Sequence, residues 1–514
     1  MLFPSCRPPS LLVRQLCRAF HDRRWPGWQV VIGIETHAQI KSRQKLFSDS
    51  LTSSLGEAPN IHVSPFDASF PGTLPKLNQD CVDLALRTAI ALDSGVQTRS
   101  SFDRKHYFYS DLPSGYQITQ HYAPIALGGH LYIPNRDSPI RIKQIQLEQD
   151  TAKSTFDPRT RTSNIDLNRA GTGLLEIVTE PDLRSPEEAG AYVRALQAML
   201  RAIGASDGNM EAGSLRCDVN VSINSPGKPP GTRCEIKNLN SIKFMQTAIV
   251  YEVNRQRALL SKEDGVVPQE TRGFNQDTLE TFKMRSKEEA PDYRYMPDPN
   301  LGFLLVASER INNIVQTMPE LPWVTRVRLV QEYELSEQDA DILLNLDNGR
   351  EDGDSALAYF DRLCKEGRKP RVVFNWMVHE LLGRLHATRL TFADNPFSTS
   401  QLGELIDLVH SGAITGTSGK LLLREMLADP SSPQTPTERA RSLSLLITSR
   451  GELDIGDLCG AAIAALPSEA AAFRNGHKNV LNKILGWVMK ESRGRADSKQ
   501  ARERLISLLE ESGE

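Results

Sequence analysis

What limits this chain most is where it puts its carboxylates. Between Val31 and Arg294, acids, amides and glycines are gathered into short runs that are otherwise apolar and strand-like. These runs read Val31-Ile-Gly-Ile-Glu35-Thr-His37, Leu147-Glu148-Gln149-Asp150-Thr-Ala-Lys153, Asp166-Leu-Asn168-Arg169-Ala-Gly171-Thr-Gly173-Leu-Leu-Glu176, Met210-Glu211-Ala-Gly-Ser214-Leu-Arg216-Cys-Asp218-Val-Asn220 and Glu235-Ile-Lys237-Asn238. A carboxylate drawn into apolar surroundings is costly unless it is paired, protonated or bound to a cation. Several of them feeding one domain point to a divalent metal held by oxygen ligands, and the expectation is Mg²⁺ with a phosphate.

Spacing sharpens this. Glu35 and His37 are two apart in a strand-like run and share a face, although such a pair is commonly a surface hydrogen bond. Glu148 ends the alternating run Ile140 to Leu147, with Asp150 on the same face. Ser214, Arg216, Asp218 and Asn220 also share one strand face, which is equally natural as a solvated surface. The glycines of Asn168 to Gly173 let a backbone approach an anion, though a glycine pair is usually only a turn. Farther on, Gln269 to Phe274, Met284 to Lys287 and Asp292 to Pro297 mix arginines with aromatics, a combination suited to stacking on a nucleotide.

With 514 residues the chain is too long for one core and suggests about three domains. No stretch approaches the roughly 18 apolar residues of a membrane span, so no membrane insertion is expected. In residues 1–25, Arg7, Arg14, Arg18, Arg23 and Arg24 face a single acid, Asp22, and Leu12, Leu16 and Phe20 recur at helical spacing. That is the basic amphipathic pattern of an organellar transit peptide and points to mitochondria. Without those charges the net charge of −3 becomes −7, so nucleic-acid contact requires a local basic patch. The tail supplies one: between Arg474 and Arg504 nine Lys or Arg face three acids, and Lys483, Lys490, Arg493 and Arg495 are the expected nucleic-acid contacts. The seven cysteines show no C-x-x-C spacing. Gly412 to Leu421 imitates a P-loop, but no glycine stands at the required place before Gly419-Lys420 and Leu421 replaces its Ser or Thr, so it reads as a turn before a helix.

Strand-like runs at Val30 to Ile34, Ile140 to Leu147 and Val219 to Ile223 alternate with helices at Gln79 to Leu92, Pro186 to Ile203 and Ser241 to Leu260. Ser185-Pro186-Glu187-Glu188 is a capped helix start. A second texture, helical, runs over 319–395 and is interrupted by the loop Asp347 to Asp354; a third begins with a capped helix at Ser400 to Glu404.

The acidic and glycine-rich motifs also carry a family resemblance. From about Val30 to Pro299, and more weakly to the end, the chain resembles the B subunit of the tRNA-dependent amidotransferase, which with its partners converts glutamate misattached to glutamine tRNA into glutamine. The resemblance implies an α+β protein: a mixed α/β, cradle-like catalytic domain over 26–305, then two mainly helical domains over 319–395 and 398–514, the last for tRNA. It implies ATP and Mg²⁺ as cofactors, with Glu35, His37, Glu148, Glu176 and Glu211 around the metal. Lys153, Asn168, Arg169, Gly171, Gly173 and Ser214 are implied to hold the nucleotide, and Arg216, Lys237 and Asp150 to serve catalysis. Some relatives carry a cysteine-based zinc knuckle after the first motif; Lys45 to Ser54 and Ser64-Pro-Phe-Asp67 contain no cysteine, so structural zinc is not expected.

A glutamate γ-carboxylate needs phosphorylation before ammonia can displace its oxygen, and that transfer calls for a divalent metal and cationic clamps. The chain has neither a Ser-Ser-Lys amidase signature nor a nucleophilic-cysteine glutaminase pattern, so the ammonia is expected from an amidase (A) subunit, with a small C-type subunit bracing the two. The work is then activation of glutamate on tRNA(Gln) in the mitochondrial matrix. Alternatives are a noncatalytic tRNA-docking subunit of the same complex and a stand-alone ATP-dependent amidoligase.

Overall fold

The computed structural model describes residues 22–511 except 55, 135, 287–291, 347–354, 448–454, 493–495 and 497. Most of the expected leader, the loop Asp347 to Asp354, and Arg493 and Arg495 therefore lie outside the described residues. The chain divides into two compact units, one ending at Pro322 and one beginning at Trp323.

The first unit is built on a ten-stranded sheet. Its main strands are β1 (Gln29–Gln39), β2 (Ile140–Gln149), β3 (Gly173–Thr179), β4 (Leu215–Asn224), β5 (Cys234–Leu239), β6 (Glu270–Asn275) and β7 (Glu280–Ser286). They lie in the order β7-β6-β5-β4-β1-β3-β2, and short segments at Ala126–Leu127, Gly95–Val96 and His130–Leu131 complete the far edge. β1 is central and antiparallel to both neighbours, whereas β5 and β6 run parallel. A parallel pair needs a crossover, and the helix α3 (Ile242–Leu260) supplies it.

Alternation along these strands separates two faces. Ile32, Ile34 and Ala38 of β1, Ile145 and Leu147 of β2, Leu175 and Ile177 of β3, and Val219 and Val221 of β4 are buried on one. α3 packs against β4, β5 and β7, and α2 (Pro186–Ala202) packs on α3. α2 starts as its sequence predicts: Glu188 N donates to Ser185 Oγ at 3.1 Å, and Pro186 stands in the first turn. The opposite face of the sheet carries the carboxylates.

Two boundaries differ from the sequence reading. Trp25, expected in the leader, is only 2% exposed; its Nε1 donates to Asn254 Oδ1 of α3 at 2.8 Å, and Arg24 pairs with Glu187 of α2 at 2.6 Å. The folded unit thus includes Arg24 and Trp25, because the indole is part of its packing. At the other end, the helix Ser308–Gln316 still belongs to this unit: Arg310 reaches Asp83 at 2.6 Å on the first helix, α1 (Gln79–Ala91).

The second unit is helical. One core gathers Leu329, Phe360, Phe374, Phe397, Leu402, Leu422 and Leu445, so the boundary expected between Asn395 and Ser398 falls inside a single core. Phe397, between the two expected zones, is buried in that core. The helix beyond it is capped by Ser398 and not Ser400, with Gln401 completing a capping box. A separate small core joins Cys459, Phe473, Ile484, Val488 and Leu505. The P-loop imitation is a turn leading into the helix Gly416–Ala428, capped by Thr415, with Lys420 paired to Glu380 at 2.5 Å. Together the units make an α+β protein, and no helix among the described residues is long and apolar enough to cross a membrane.

Candidate functional site

Antiparallel registry assembles the site. His37 lies opposite Glu176 on β3 and opposite Arg216 on β4, while Glu176 lies opposite Gln146 on β2. Directly opposed residues point to one face, so a single rung crosses the sheet as Arg216, His37, Glu176 and Gln146. The next rung sets Glu35 against Asp218. Glu148 shares the face of Gln146 two residues on.

His37 is the hub. Its Nε2 stands 3.3 Å from Glu35 Oε1 and its Nδ1 3.6 Å from Glu148 Oε1. Two overlapping triads, His37 with Glu148 and Glu176, and His37 with Glu35 and Asp218, each bring one ligand atom per residue within 4.8 Å of the others. Gln146 Nε2 donates to Glu176 Oε2 and fixes its carboxyl group. Burial opposes ionisation of His37, but Glu35, Glu176 and Glu148 outweigh it and raise the imidazole to about 9. Burial and the neighbouring Glu148 push Glu176 well above the usual carboxylate range, while Glu35, despite its own burial, is drawn down to about 2 by its bond with His37. One imidazole and several oxygens that need positive charge are a donor set suited to a hard divalent cation.

Cations flank this cluster. Arg216 Nη2 donates to Asp150 Oδ2 at 2.9 Å, and Arg169 Nε stands 3.6 Å from the same oxygen. Lys237 Nζ donates to Asp218 Oδ2 at 2.6 Å and lies 3.0 Å from Glu235. Asp150, just past the end of β2, thus serves Arg216 and stays outside both triads.

Several expected ligands do other work. Glu211 is exposed in the turn before β4 and belongs to neither triad, because the strand that brings its neighbours inward begins only at Leu215. Lys153 is exposed on the hairpin Lys153–Asp157 and Thr162–Asp166. Asn168 uses its amide on the chain itself, donating to Ala58 O at 2.7 Å and accepting from His62 N at 2.9 Å. Gly171 N donates to Asp150 O, and a Cβ on Gly173 would meet Ile40, Cys81 and Leu46, so both glycines serve packing and not an open phosphate loop. Ser214 Oγ donates to Asp207 Oδ2 at 3.1 Å. Of the tail cations, Lys490 is exposed, and Lys483 is paired with Glu469 at 2.5 Å.

Two neighbours of the cluster escaped the sequence reading, and a third, Asp218, was seen on a strand face but given no role. Gln146 lies within a strand-like run, and strand registry alone brings it to Glu176. Lys105, 4.0 Å from Glu148, comes from a small sheet of Asp103–His106, Tyr116–Thr119 and Met296–Pro297. Burial works against its charge, yet Glu148 and nearby groups hold it protonated. Lys105 Nζ also lies 5.2 Å from the centroid of Tyr293, which begins an aromatic ledge: Tyr293 meets Tyr107 and Tyr295, and Tyr295 stacks on His121 at 3.8 Å.

The chain matches two family descriptions, "GatB/GatE catalytic domain" over residues 30–312 and "GatB domain" over 358–509. It is 61% identical to the mitochondrial glutamyl-tRNA(Gln) amidotransferase B subunit of Laccaria bicolor, over 96% of both chains. It is 41% identical to the protein of that name from Danio rerio, over 94% of this chain and 88% of the relative. It is 43% identical to the aspartyl/glutamyl-tRNA(Asn/Gln) amidotransferase B subunit of Methylobacterium sp. (strain 4-46), over 91% of this chain and 94% of the relative.

Proposed function

This chain belongs to the family of tRNA-dependent amidotransferase B subunits, and from that premise we propose that the face of β1, β2, β3 and β4 is where glutamate on glutamine tRNA is activated with ATP and Mg²⁺. The chain is a subunit of a tRNA amidotransferase, an ATP-dependent ligase that uses ammonia derived from glutamine, and it works in a complex with other subunits and tRNA in mitochondrial protein synthesis. The finer reading adds an amidase subunit that releases ammonia, a small bracing subunit, and the matrix as the place of action after removal of a leader.

The observation that carries the reading is the convergence of His37, Glu148 and Glu176 within 4.8 Å on three adjacent strands. These three would hold the magnesium ion, with Glu35 and Asp218 beside them. The ion's chemistry, when bound, is to offset the charge of phosphate oxygens during transfer to the γ-carboxylate. For that, His37 must release its proton, which leaves a neutral imidazole nitrogen beside the ionised Glu35 and a net negative cluster for the cation. Arg216, presented by Asp150, is placed to clamp a carboxylate or phosphate in two-pronged fashion, and Lys237 adds a second positive charge on the same face. The ledge of Tyr107, Tyr293, Tyr295 and His121 offers ring faces on which the terminal adenosine of the tRNA stacks. The exposed cations of the tail hold the tRNA body.

The test is Glu148→Ala in the assembled complex, with free ammonium in excess. Amidation should fall at least about a hundredfold, since metal-stabilised charge is worth several kcal/mol, while assembly and tRNA binding persist. A loss restored by ammonium would place the defect in ammonia supply. Amidation at the wild-type rate would remove Glu148 from the site and favour a docking subunit. A stand-alone amidoligase fits poorly, for the relatives are named as subunits.

A further inference from the structure

Against the turn that holds Asp150 lies a buried ion pair, Lys45 with Asp67. Lys45 is fully buried, and its three ammonium hydrogens have three acceptors: His62 O at 2.7 Å, Asp67 Oδ2 at 3.1 Å and Leu167 O at 3.3 Å. Asp67 is buried too and accepts further bonds from Ser48 Oγ at 3.1 Å and Ser64 N at 3.0 Å. A buried pair adds little net stability over apolar side chains of similar size, so its use here calls for another reason.

The geometry supplies one. Lys45 joins two stretches about 100 residues apart in sequence, the loop around His62 to Asp67 and the turn around Leu167 to Gly171. Gly171 has φ +84°, and a Cβ there would sit 2.5 Å from Asp67 Oδ1 and 3.5 Å from Lys45 Cδ. The turn therefore rests directly on the ion pair. From the turn, Gly171 N donates to Asp150 O at 3.0 Å and Thr172 O accepts from Asp150 N at 2.8 Å, so the backbone of Asp150 is pinned on both sides. Asp150 then orients Arg216.

We infer that Lys45 and Asp67 are positioning residues for Arg216: the buried pair fixes the turn, the turn fixes Asp150, and Asp150 aims the guanidinium at the anionic substrate. Neither residue touches substrate. This rests on the reading of Arg216 as the clamp, and a double-mutant cycle separates the two. Asp67→Asn keeps the shape and removes the charge; Arg216→Ala removes the clamp. In the purified complex, with ammonium as nitrogen donor, kcat and KM for ATP are measured for wild type, each single variant and the double variant, alongside thermal midpoints. If the pair acts through Arg216, Asp67→Asn lowers kcat/KM about tenfold in the wild-type background and less than about twofold in the Arg216→Ala background. Equal losses in both backgrounds would overturn the inference and leave the clamp standing. Arg216→Ala at the wild-type rate would overturn the clamp and the inference with it. Should Asp67→Asn fail to fold, Ser48→Ala, which removes one donor from Asp67 and leaves the ion pair, is put through the same cycle with the same criterion.

Discussion

Replacing Trp25 tests where the folded protein begins. The indole is 2% exposed, donates to Asn254 at 2.8 Å and has the Arg24 guanidinium 4.8 Å from its centroid. Truncation of a buried aromatic to alanine costs about 3–5 kcal/mol. Trp25→Phe keeps much of the packing and loses the hydrogen bond, leaving an acceptor unpaired, for about 1–2 kcal/mol. At roughly 2 °C per kcal/mol for a large unit, Trp25→Ala should lower the melting temperature of the first unit by about 6–10 °C and Trp25→Phe by about 2–4 °C. Differential scanning calorimetry of the full chain, with the two units followed separately, reads both numbers. A shift below about 2 °C for Trp25→Ala would mean that the residue is dispensable and that the packing argument fails. If the argument holds, N-terminal sequencing of the protein recovered from mitochondria should find Trp25 retained and the cut upstream of Asp22.

Two other outcomes are expected. In the metal-free protein, the raised groups Glu176 and His37 bind protons more tightly when folded than unfolded, so the stability they contribute is present at low pH and is lost as pH rises, for His37 between about 6.5 and about 9. Melting temperature should fall across that window, and saturating Mg²⁺ should flatten the slope; a slope unchanged by Mg²⁺ would argue against ligation by His37. Deletion from Ile455 onward spares the core that ends at Leu445, and should raise the KM for tRNA and reduce the salt dependence of binding; unchanged binding at several salt concentrations would leave the tail cations without a role.

The parts of the site visible in sequence were those written along a single strand. Glu35 with His37, and Arg216 with Asp218, needed only a period of two, and α2 announced itself through Ser185 and Pro186. What could not be read was the pairing across strands. Nothing near Lys105 signals that it will meet Glu148, because it depends on a small sheet whose third strand, Met296–Pro297, arrives nearly 200 residues later. Glycines misled for a related reason: Gly171 looks the same in sequence whether its bare side admits a phosphate or the carboxylate of Asp67. The expected boundary at Asn395 differs because a capped helix start marks where a helix begins and says nothing of which core that helix enters.

The central place of β1 also sets an order of events. Its partners, β3 and β4, begin at Gly173 and Leu215, so a chain delivered N-terminus first presents Val30 to Ile34 long before either neighbour exists. An unpaired apolar strand in that interval is a template for wrong pairing. Closing loops of this span is slow, so folding of this unit should be limited by long-range sheet formation, with the catalytic face among the last features to appear. A nascent or newly imported chain therefore needs a holdase on its first strand until about Asn224 has emerged, and activity should lag behind the appearance of full-length protein.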